Sequence, residues 1–409
     1  MKQTIYLHIQ LPEQIDFITL GRLTVENGIG QFVYAPNYPT TWVLDEVHYP
    51  FRKEPYTITT NHGIPNFVMD IMPDAWGKVI LKRIYAREKD TAWTDLDFLI
   101  KAKNSDRFGN LCIGEIKTVT QKATLENFQH LVKLSDFLDF SAAMRRGEAI
   151  TRIQLAITQT TSLGGARPKI TLFDENKLYL AKPKDRDDLI NVPQVEFACL
   201  SFAEKKGLLV AKHQLVQISH QNEQKDVLLL ERFDRSYDSQ TQKFRRLPML
   251  SGLTLLDAEW NSTNHQRWSY PLMANEMHRK GMSEQDIHEL FRRMIFNILI
   301  GNDDDHPKNH AFMYQNARWR IAPLFDIVPN QEFKPQGLSM QIGLFGNQIS
   351  RENVLSMANQ FLLSVDQAQN ILDEMIGWES ELVQYYHSIL TSHDAEIAIS
   401  AMGADYLKA

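Results

Sequence analysis

The sequence predicts an α/β (α+β) fold with a β-rich N-terminal part and a mainly helical C-terminal half. Two observations carry this prediction. Residues 1 to about 60 alternate apolar and polar positions between glycines and prolines, as in IYLHIQLP and GQFVYAP, which is typical of short strands. From Ser283 to Leu299, and again from Arg351 to about Leu390, apolar residues recur at helical spacing, which is typical of packed helices.

Composition and charge exclude several classes of protein. The chain has 409 residues, 43% of them hydrophobic, which is enough for an extensive core and, at about 150 residues per domain, for two or three units. A net charge of -6 disfavours a broad surface for nucleic-acid phosphates, which needs an excess of lysine and arginine. The two cysteines, Cys112 and Cys199, lack the short spacing of metal ligands, so we expect a reducing cytoplasm.

The chain shows no sequence pattern of a membrane protein. Polar and acidic residues interrupt the N-terminal stretch MKQTIYLHIQLPEQIDF before an apolar segment of signal-peptide length can form. Elsewhere, uninterrupted apolar runs fall short of the ~18 residues that a spanning helix requires. We therefore expect a cytoplasmic protein without a membrane partner.

Changes of pattern along the chain predict three parts, residues 1–120, 121–240 and 241–409. In the second part, a predicted strand, TRIQLAITQ, leads into the loop TSLGGARPK, and the strands ITLF and LYLAKP then form a hairpin around DENK. Gly164 and Gly165 allow backbone amides to approach phosphate oxygens closely because neither glycine has a Cβ atom. A plain turn is the alternative interpretation of this glycine pair.

Three features after the glycine pair follow the order of a nucleotide site in a kinase. Lys182 ends the return strand of the hairpin, where its ammonium group could reach phosphates under the loop. Glu196 lies on the predicted helix VEFACLSFAEKKG and could pair with Lys182, as a lysine and a helix glutamate do in protein kinases. The alternative interpretations are a solvated surface lysine and a solvated helix glutamate. The apolar run in DVLLLERFDR predicts a buried strand that ends where a kinase places its adenine-binding hinge.

The richest cluster of polar residues follows a predicted core helix. Ser283 and Asp286 have the spacing of a capping box with aspartate in the usual place of glutamate, and Gly301 is a typical helix end. The loop NDDDHPKNHAFMY comes next. Asp304 and Asn309 are separated by the same interval as the aspartate and asparagine of the kinase catalytic loop H-R-D-x-x-x-x-N.

This spacing has a chemical reason in phosphoryl transfer. An aspartate accepts or orients the proton of the attacking hydroxyl group, and the amide oxygen of an asparagine binds Mg²⁺. Asp326, after the apolar run of WRIAPLFD, stands where a kinase has its second metal-binding carboxylate, and Lys308 could neutralise charge on the transferred phosphoryl group.

Two other interpretations of the loop are a solvated acidic turn and a hydrolase metal site. The hydrolase site would consist of Asp303, Asp304, Asp305 and His306. Three adjacent carboxylates on an extended loop do not all face one ion, and this interpretation leaves Gly164 and Lys182 without a role. The combination of motifs therefore favours phosphoryl transfer.

The motifs together resemble those of the HipA-like family of type II toxin-antitoxin serine/threonine-protein kinases. NDDDHPKN is similar to the catalytic loop of that family, GGARPK to its phosphate loop, LLLERFDR to its hinge and IAPLFDIVP to its metal-binding strand end. The segments GRLTVENGIGQFVYAPNY and GIPNFVMDIMPDAWGK resemble its N-terminal subdomain. The resemblance covers nearly the whole chain and implies a protein kinase-like fold.

The resemblance also implies a role for each matching residue. Residues 1–120 would be the N-terminal subdomain, 121–240 the nucleotide-binding part of the kinase core and 241–409 the helical lobe with the catalytic loop. Asp304 would be the catalytic base, with ATP and Mg²⁺ as cofactors. The other matches are Asn309 and Asp326 as Mg²⁺ ligands; Lys182, Gly164, Gly165, Ala166, Arg167 and Lys169 at the ATP phosphates; His306 and Lys308 against ATP; Glu231 and Phe233 at the adenine; and Ser162 as the site of autophosphorylation.

Two departures from the family pattern bear on rate and regulation. Asp305 stands where many members have glycine, which adds a negative charge beside the expected metal. Arg167 belongs to GGARPK where some members have GAQEK, which would change how autophosphorylation or nucleotide binding is tuned.

The family resemblance implies partners as well as chemistry. A helix-turn-helix antitoxin would bind the chain and bring it to DNA only indirectly, and the protein substrate would be one such as an aminoacyl-tRNA synthetase. The alternative is a catalytically idle relative that only docks an antitoxin or a DNA-bound repressor.

Overall fold

The structure, a computed structural model, describes residues 2–85, 92–124, 129–130, 134–146, 148, 167–185, 188–260 and 265–408. The chain divides into two compact units. The first unit comprises Met1–Pro183, Gln217–Lys225 and Leu229–Leu250, and the second comprises Lys184–Val216, Asp226–Leu228 and Ser251–Ala409. The predicted parts 1–120, 121–240 and 241–409 stay a prediction. No helix in the described ranges combines the length and apolar character needed to cross a membrane.

The first unit begins with a five-stranded antiparallel sheet in the order β4-β3-β2-β1-β5. Side chains of residues 29–34 alternate between buried and more exposed positions, as the sequence predicts, whereas residues 7–10 and 111–114 are buried consecutively. Leu7, Leu23 and Phe32 are fully buried. The strands are β1 (Gln3–Gln10), β2 (Phe17–Glu26), β3 (Ile29–Tyr34), β4 (Tyr56–Ile58) and β5 (Leu111–Gly114).

Short helices separate the fourth and fifth strands and follow the fifth. The third of them begins with a capping box between Thr94 and Asp97, in which each side chain accepts the backbone amide of the other residue. The helices of this unit are α1 (Asn66–Met69), α2 (Ala75–Ile84), α3 (Asp95–Lys101), α4 (Gln121–Thr124) and α5 (Leu134–Arg145), with a 3-10 turn at Asn61–Gly63.

A second five-stranded sheet has the order β6-β7-β8-β10-β9. Its central hairpin confirms the predicted pair of strands, because β7 and β8 are joined by Glu175 and Asn176, both of which have a positive φ. The predicted strand before the glycine loop, residues 151–159, lies outside the described residues. The strands are β6 (Gln129–His130), β7 (Ile170–Asp174), β8 (Lys177–Pro183), β9 (His213–His220) and β10 (Glu223–Glu231), followed by the ribbon β11 (Arg235–Asp238) and β12 (Lys243–Arg246).

The second unit is mainly helical, which confirms the prediction for the C-terminal half. Its helices are α6 (Val192–Lys205), α7 (Gly252–Leu255), α8 (Tyr270–Arg279), α9 (Glu284–Ile300), α10 (Arg351–Leu355), α11 (Val365–Ile376), α12 (Glu379–Ile389), α13 (Ser392–Ala401) and α14 (Ala404–Lys408), with 3-10 turns at Pro307–Asn309 and Ala358–Phe361. Strand β13 (Met249–Ser251) directly precedes α7, and β14 (Ala311–Gln315) pairs with β15 (Arg318–Ile321).

Helix α9 is the central core helix of the second unit. It begins with the predicted capping box between Ser283 and Asp286 and ends at Gly301, whose φ of 75° is in the left-handed region. The second oxygen of the Asp286 carboxylate accepts the backbone amide of Ile321 at 3.1 Å, which ties the start of the helix to β15. Because both ends of α9 are fixed, the polar loop that follows Gly301 starts from a rigid support.

Candidate active site

The loop after α9 brings Asp304 and Asn309 together. The side-chain nitrogen of Asn309, at the end of the 3-10 turn Pro307–Asn309, donates to the backbone oxygen of Asp304 at 3.2 Å. The asparagine is buried, whereas the aspartate side chain is exposed. The spacing that the sequence shares with kinase catalytic loops thus closes a short, hydrogen-bonded loop in which Asp304 faces solvent.

The three consecutive carboxylates of this loop have different surroundings. Asp303 accepts two hydrogen bonds from the side chain of Asn330, at 3.0 and 3.1 Å. Asp304 reaches solvent, and Asp305 is 1% exposed and bonded within the core. Because the three groups diverge, this geometry disfavours the alternative of a hydrolase site that gathers them around one metal ion.

Asp304 is held in surroundings that make it a stronger base. Partial burial raises the pKa of its carboxyl group, the neighbouring His306 opposes that change, and the negative charges of Asp326, Asp303 and Asp305 raise the pKa further. Two conclusions follow. Asp304 is better suited to accept a proton than an ordinary exposed aspartate, and Asp326 is close enough to influence it electrostatically.

Asp326 has an unusual backbone conformation that helix α6 supports. Its φ of 60° lies in the left-handed region, where aspartate is tolerated more readily than most residues. Its backbone amide donates to a carboxylate oxygen of Glu196 at 3.1 Å, and Glu196 is 2% exposed. Glu196 therefore holds the backbone of Asp326. The pairing of Glu196 with Lys182, which belongs to the first unit, stays a prediction.

Two residues that the sequence analysis missed, Trp260 and Gly252, contact the loop. The ring of Trp260 lies edge to face with that of His306, with ring centroids 4.7 Å apart, and the ammonium group of Lys308 lies 4.4 Å from the Trp260 ring centroid. Trp260 in turn stacks on Trp268 at 5.3 Å. Trp260 lies far before this loop in the sequence, and no motif relates it to the loop. Only the structure therefore reveals this contact.

Gly252 is the second neighbour without a sequence signal. Its backbone amide donates to the oxygen of His310 at 2.8 Å, and a Cβ atom at this position would lie 2.4 Å from the backbone oxygen of Pro307. A real Cβ atom does not approach an oxygen so closely. Glycine therefore permits the contact between α7 and the loop.

The candidate phosphate-binding residues belong to the first unit. Lys182 lies on β8, Arg167 is exposed, and Lys169 is buried just before β7. The remaining predicted members of this loop, Ser162, Gly164, Gly165 and Ala166, lie outside the described residues. Their assigned roles stay predictions.

The predicted hinge is held by a buried network of charges that the sequence analysis did not foresee. The carboxylate of Glu231 pairs with the ammonium of Lys177 at 3.0 Å at the surface, outside the buried network. The amide of Arg232 donates to the oxygen of Leu178 at 2.7 Å. The guanidinium of Arg232 binds Asp106 at 2.6 Å and Asp234 at 2.8 Å. These contacts fix the backbone on both sides of Phe233, and the adenine-binding roles of Glu231 and Phe233 stay predictions.

Asn309 and Asp326 offer the type of donor atoms that Mg²⁺ binds. Carboxylate and amide oxygens are hard ligands, which suit Mg²⁺ rather than zinc. The hydrogen bond from the Asn309 nitrogen to Asp304 leaves the amide oxygen on the opposite side of that planar group. The residues present therefore fit an oxygen-ligated divalent cation.

Comparison with known protein families shows to which family this chain belongs. The sequence profile of the HipA-like C-terminal domain matches residues 161–381, which is more than half of the 409 residues. The chain belongs to the HipA-like family. The match includes the loop NDDDHPKN, Asp326, Lys182 and the segment LLLERFDR, so the resemblance to the family is confirmed.

A solved HipA structure has a similar fold. The structure of a Shewanella oneidensis toxin-antitoxin complex of HipA, HipB and operator DNA superposes with a TM-score of 0.69, covering 99% of this chain and 96% of that chain at 13% identity. At this identity the likeness shows the fold alone, and the expected HipA-like fold is thereby confirmed.

Two curated relatives bear names that describe inferred kinases. One, from Haemophilus influenzae, is 26% identical over 54% of this chain and 68% of its own length. The other, from Sinorhizobium fredii, is 24% identical over 34% of each chain.

Proposed function

We propose that this protein is an ATP- and Mg²⁺-dependent protein kinase that phosphorylates serine or threonine and acts as the toxin of a toxin-antitoxin pair. One observation carries the proposal. Asn309 is bonded to the backbone of Asp304, and the charge of Asp326 raises the pKa of the Asp304 carboxyl group. These contacts within the second unit support Asp304 as the base and Asn309 and Asp326 as the oxygen ligands, the set that phosphoryl transfer requires.

In the proposed reaction, Asp304 accepts the proton of the substrate hydroxyl group. The hydroxyl oxygen forms a bond to the γ-phosphorus of ATP, and the bond from that phosphorus to the leaving oxygen of ADP breaks. Asn309 and Asp326 would hold the metal, which would supply positive charge to neutralise the phosphate oxygens. Lys182 and Lys308 would add positive charge at the phosphates.

The proposal is tested by phosphotransfer from labelled ATP with the purified protein, Mg²⁺ and a cytosolic extract. We expect the wild type to label a discrete protein and Asp304→Asn to lose the activity by several orders of magnitude, because the base is removed. Nucleotide binding, measured by calorimetry, should persist in the variant because the metal ligands remain. Equal activity of the variant and the wild type would contradict the role of Asp304, and binding without transfer by the wild type would favour an idle relative.

The family assignment supports a proposal about partners. The Shewanella oneidensis HipA structure includes HipB and operator DNA. We infer that this chain binds an antitoxin with a helix-turn-helix and reaches DNA only through it, in keeping with its net charge of -6. An aminoacyl-tRNA synthetase in the cytoplasm is the proposed substrate, and identification of the labelled protein by mass spectrometry tests this.

Ser162 is proposed as an autophosphorylation switch. It precedes Gly164 and Gly165 in the sequence of the proposed phosphate loop. A phosphate adds about -1.5 to -2 charges, which would repel the phosphates of ATP and drive the loop from the site. Phosphate on Ser162 in the wild type but not in Asp304→Asn, together with weaker ATP binding, would support the switch. Normal ATP binding by the phosphorylated protein would contradict it.

A further inference from the structure

Asp305, next to the proposed base, is a buried carboxylate that the proposed reaction does not use. Its side chain is 1% exposed, and one of its oxygens accepts three hydrogen bonds. The donors are the hydroxyl group of Tyr270, the side-chain nitrogen of Asn297 at 2.8 Å and Nε2 of His310 at 2.9 Å. Since a buried charge is costly without partners, these bonds are what allow a carboxylate here.

The three donors belong to different parts of the second unit. Tyr270 is the first residue of α8, Asn297 lies within α9, and His310 directly follows the 3-10 turn that ends at Asn309. Asp305 is therefore connected to two helices and to the far end of its own loop. These bonds restrain the middle of the loop, which would be freer to move if only its two ends were fixed.

The donors are themselves oriented by further contacts. The side-chain oxygen of Asn297 accepts a hydrogen bond from the side chain of Asn302 at 2.9 Å, which directs the Asn297 nitrogen toward Asp305. The backbone oxygen of His310 accepts the amide of Gly252 at 2.8 Å. The restraint on Asp305 thus comes from groups that have little freedom to turn away.

We propose that Asp305 is a positioning residue, which fixes the loop so that the adjacent Asp304 points its carboxylate at the substrate hydroxyl group. This inference rests on the proposed kinase function. Asp304 itself is exposed, so its direction is set through the backbone that it shares with Asp305. A displacement of about 1 Å at a reacting group can lower a rate about 100-fold.

The test compares Asp305→Asn with a control variant that also alters a buried carboxylate. Asparagine keeps the size of the side chain and one acceptor oxygen but removes the negative charge, so the three hydrogen bonds that converge on one Asp305 oxygen lose their charge assistance. The control is Asp394→Asn in α13, because Asp394 is 5% exposed and accepts bonds from the Asn191 amide at 3.2 Å and the Thr391 hydroxyl at 2.9 Å. Any general effect of losing a buried carboxylate should appear in both variants.

We expect Asp305→Asn to lower kcat about 10- to 100-fold while the KM for ATP changes less than about twofold, because orientation of the base is lost and nucleotide binding is not. Asp394→Asn should lower thermal stability without changing kcat. Tyr270→Phe, which removes one donor and leaves the loop sequence intact, should lower kcat less. The kcat of the double variant Asp305→Asn/Tyr270→Phe should be no lower than that of Asp305→Asn alone, because both changes act through the same contact.

A kcat of Asp305→Asn equal to that of the wild type, measured where both are folded, would overturn the proposal. Hydrogen exchange of the amides of residues 303–310 gives a second result that does not depend on activity. We expect faster exchange in Asp305→Asn than in the wild type and in Asp394→Asn, and equal exchange would overturn the anchoring role. If the wild type transfers no phosphate, the kinase proposal fails, and the exchange result alone decides whether Asp305 fixes the loop.

Discussion

Replacement of Asp234 by asparagine tests the buried charge network at the proposed hinge. Asp234 is 4% exposed and accepts bonds from Nε and Nη2 of Arg232, at 3.0 and 2.8 Å. It also accepts from Nη1 of Arg235 at 2.5 Å and from the amide of Gly109 at 3.0 Å. Asparagine would present an NH₂ group to donors and leave two buried guanidinium groups without this negative charge.

The magnitude follows from the cost of breaking a buried ion pair. Removal of one partner typically lowers the free energy of unfolding by about 3–5 kcal/mol, because the remaining charge stays buried. We expect the variant to lose that amount in the first unit. The assay is hydrogen exchange of the Arg232 amide, which donates to Leu178 and reports the opening of this segment.

Asp238→Asn in β11, which begins directly after Asp234, provides a control at a more exposed carboxylate. Asp238 has a 21% exposed side chain and pairs with Arg245 at 3.3 Å, so its replacement should change the exchange much less. A loss below about 1 kcal/mol for Asp234→Asn would refute the reasoning, because it would mean that the buried network does not depend on this carboxylate.

The same network predicts the sign of a pH dependence. Burial alone would raise the pKa of Asp234, but the positive charges of Arg232 and Arg235 outweigh burial and hold the pKa well below its usual value. A carboxyl group of this kind stabilises the fold above its unfolded pKa of about 4, and the contribution is lost as the pH falls through the lower folded pKa. The difference in stability between the wild type and Asp234→Asn should be constant near neutral pH and shrink in acid.

Three further predictions concern the second unit and the metal. Gly252→Ala should lower the free energy of unfolding by about 1–3 kcal/mol, measured by thermal denaturation, because its Cβ would lie 2.4 Å from the Pro307 oxygen. A Gly252→Ala variant that is as stable as the wild type and fully active would contradict this prediction. The acidic limb of the phosphotransfer pH profile should lie above the usual aspartate range, because burial raises the pKa of Asp304. Chelation with EDTA should abolish phosphotransfer and added Mg²⁺ should restore it, whereas tightly held stoichiometric zinc would support a hydrolase instead.

The sequence alone determined the features that depend on neighbours along the chain. The hairpin around Glu175, the capping box at Ser283, the left-handed helix end at Gly301 and the interval between Asp304 and Asn309 are all local patterns. They can be predicted because hydrogen bonding within a few residues and the period of apolar side chains fix local conformation. These patterns were also enough to indicate the family.

Only the tertiary structure decided how distant residues meet. Asp303, Asp304 and Asp305 are three consecutive aspartates that the sequence does not distinguish. In the structure, Asp303 accepts a hydrogen bond from the distant Asn330 and Asp304 is exposed. Asp305 is buried against Tyr270 and Asn297. Contacts between residues far apart in the chain depend on how whole elements pack, and no local period encodes them. The surroundings of each carboxylate, and with them the distinction between the proposed base Asp304 and the proposed positioning residue Asp305, are therefore a property of the packed fold.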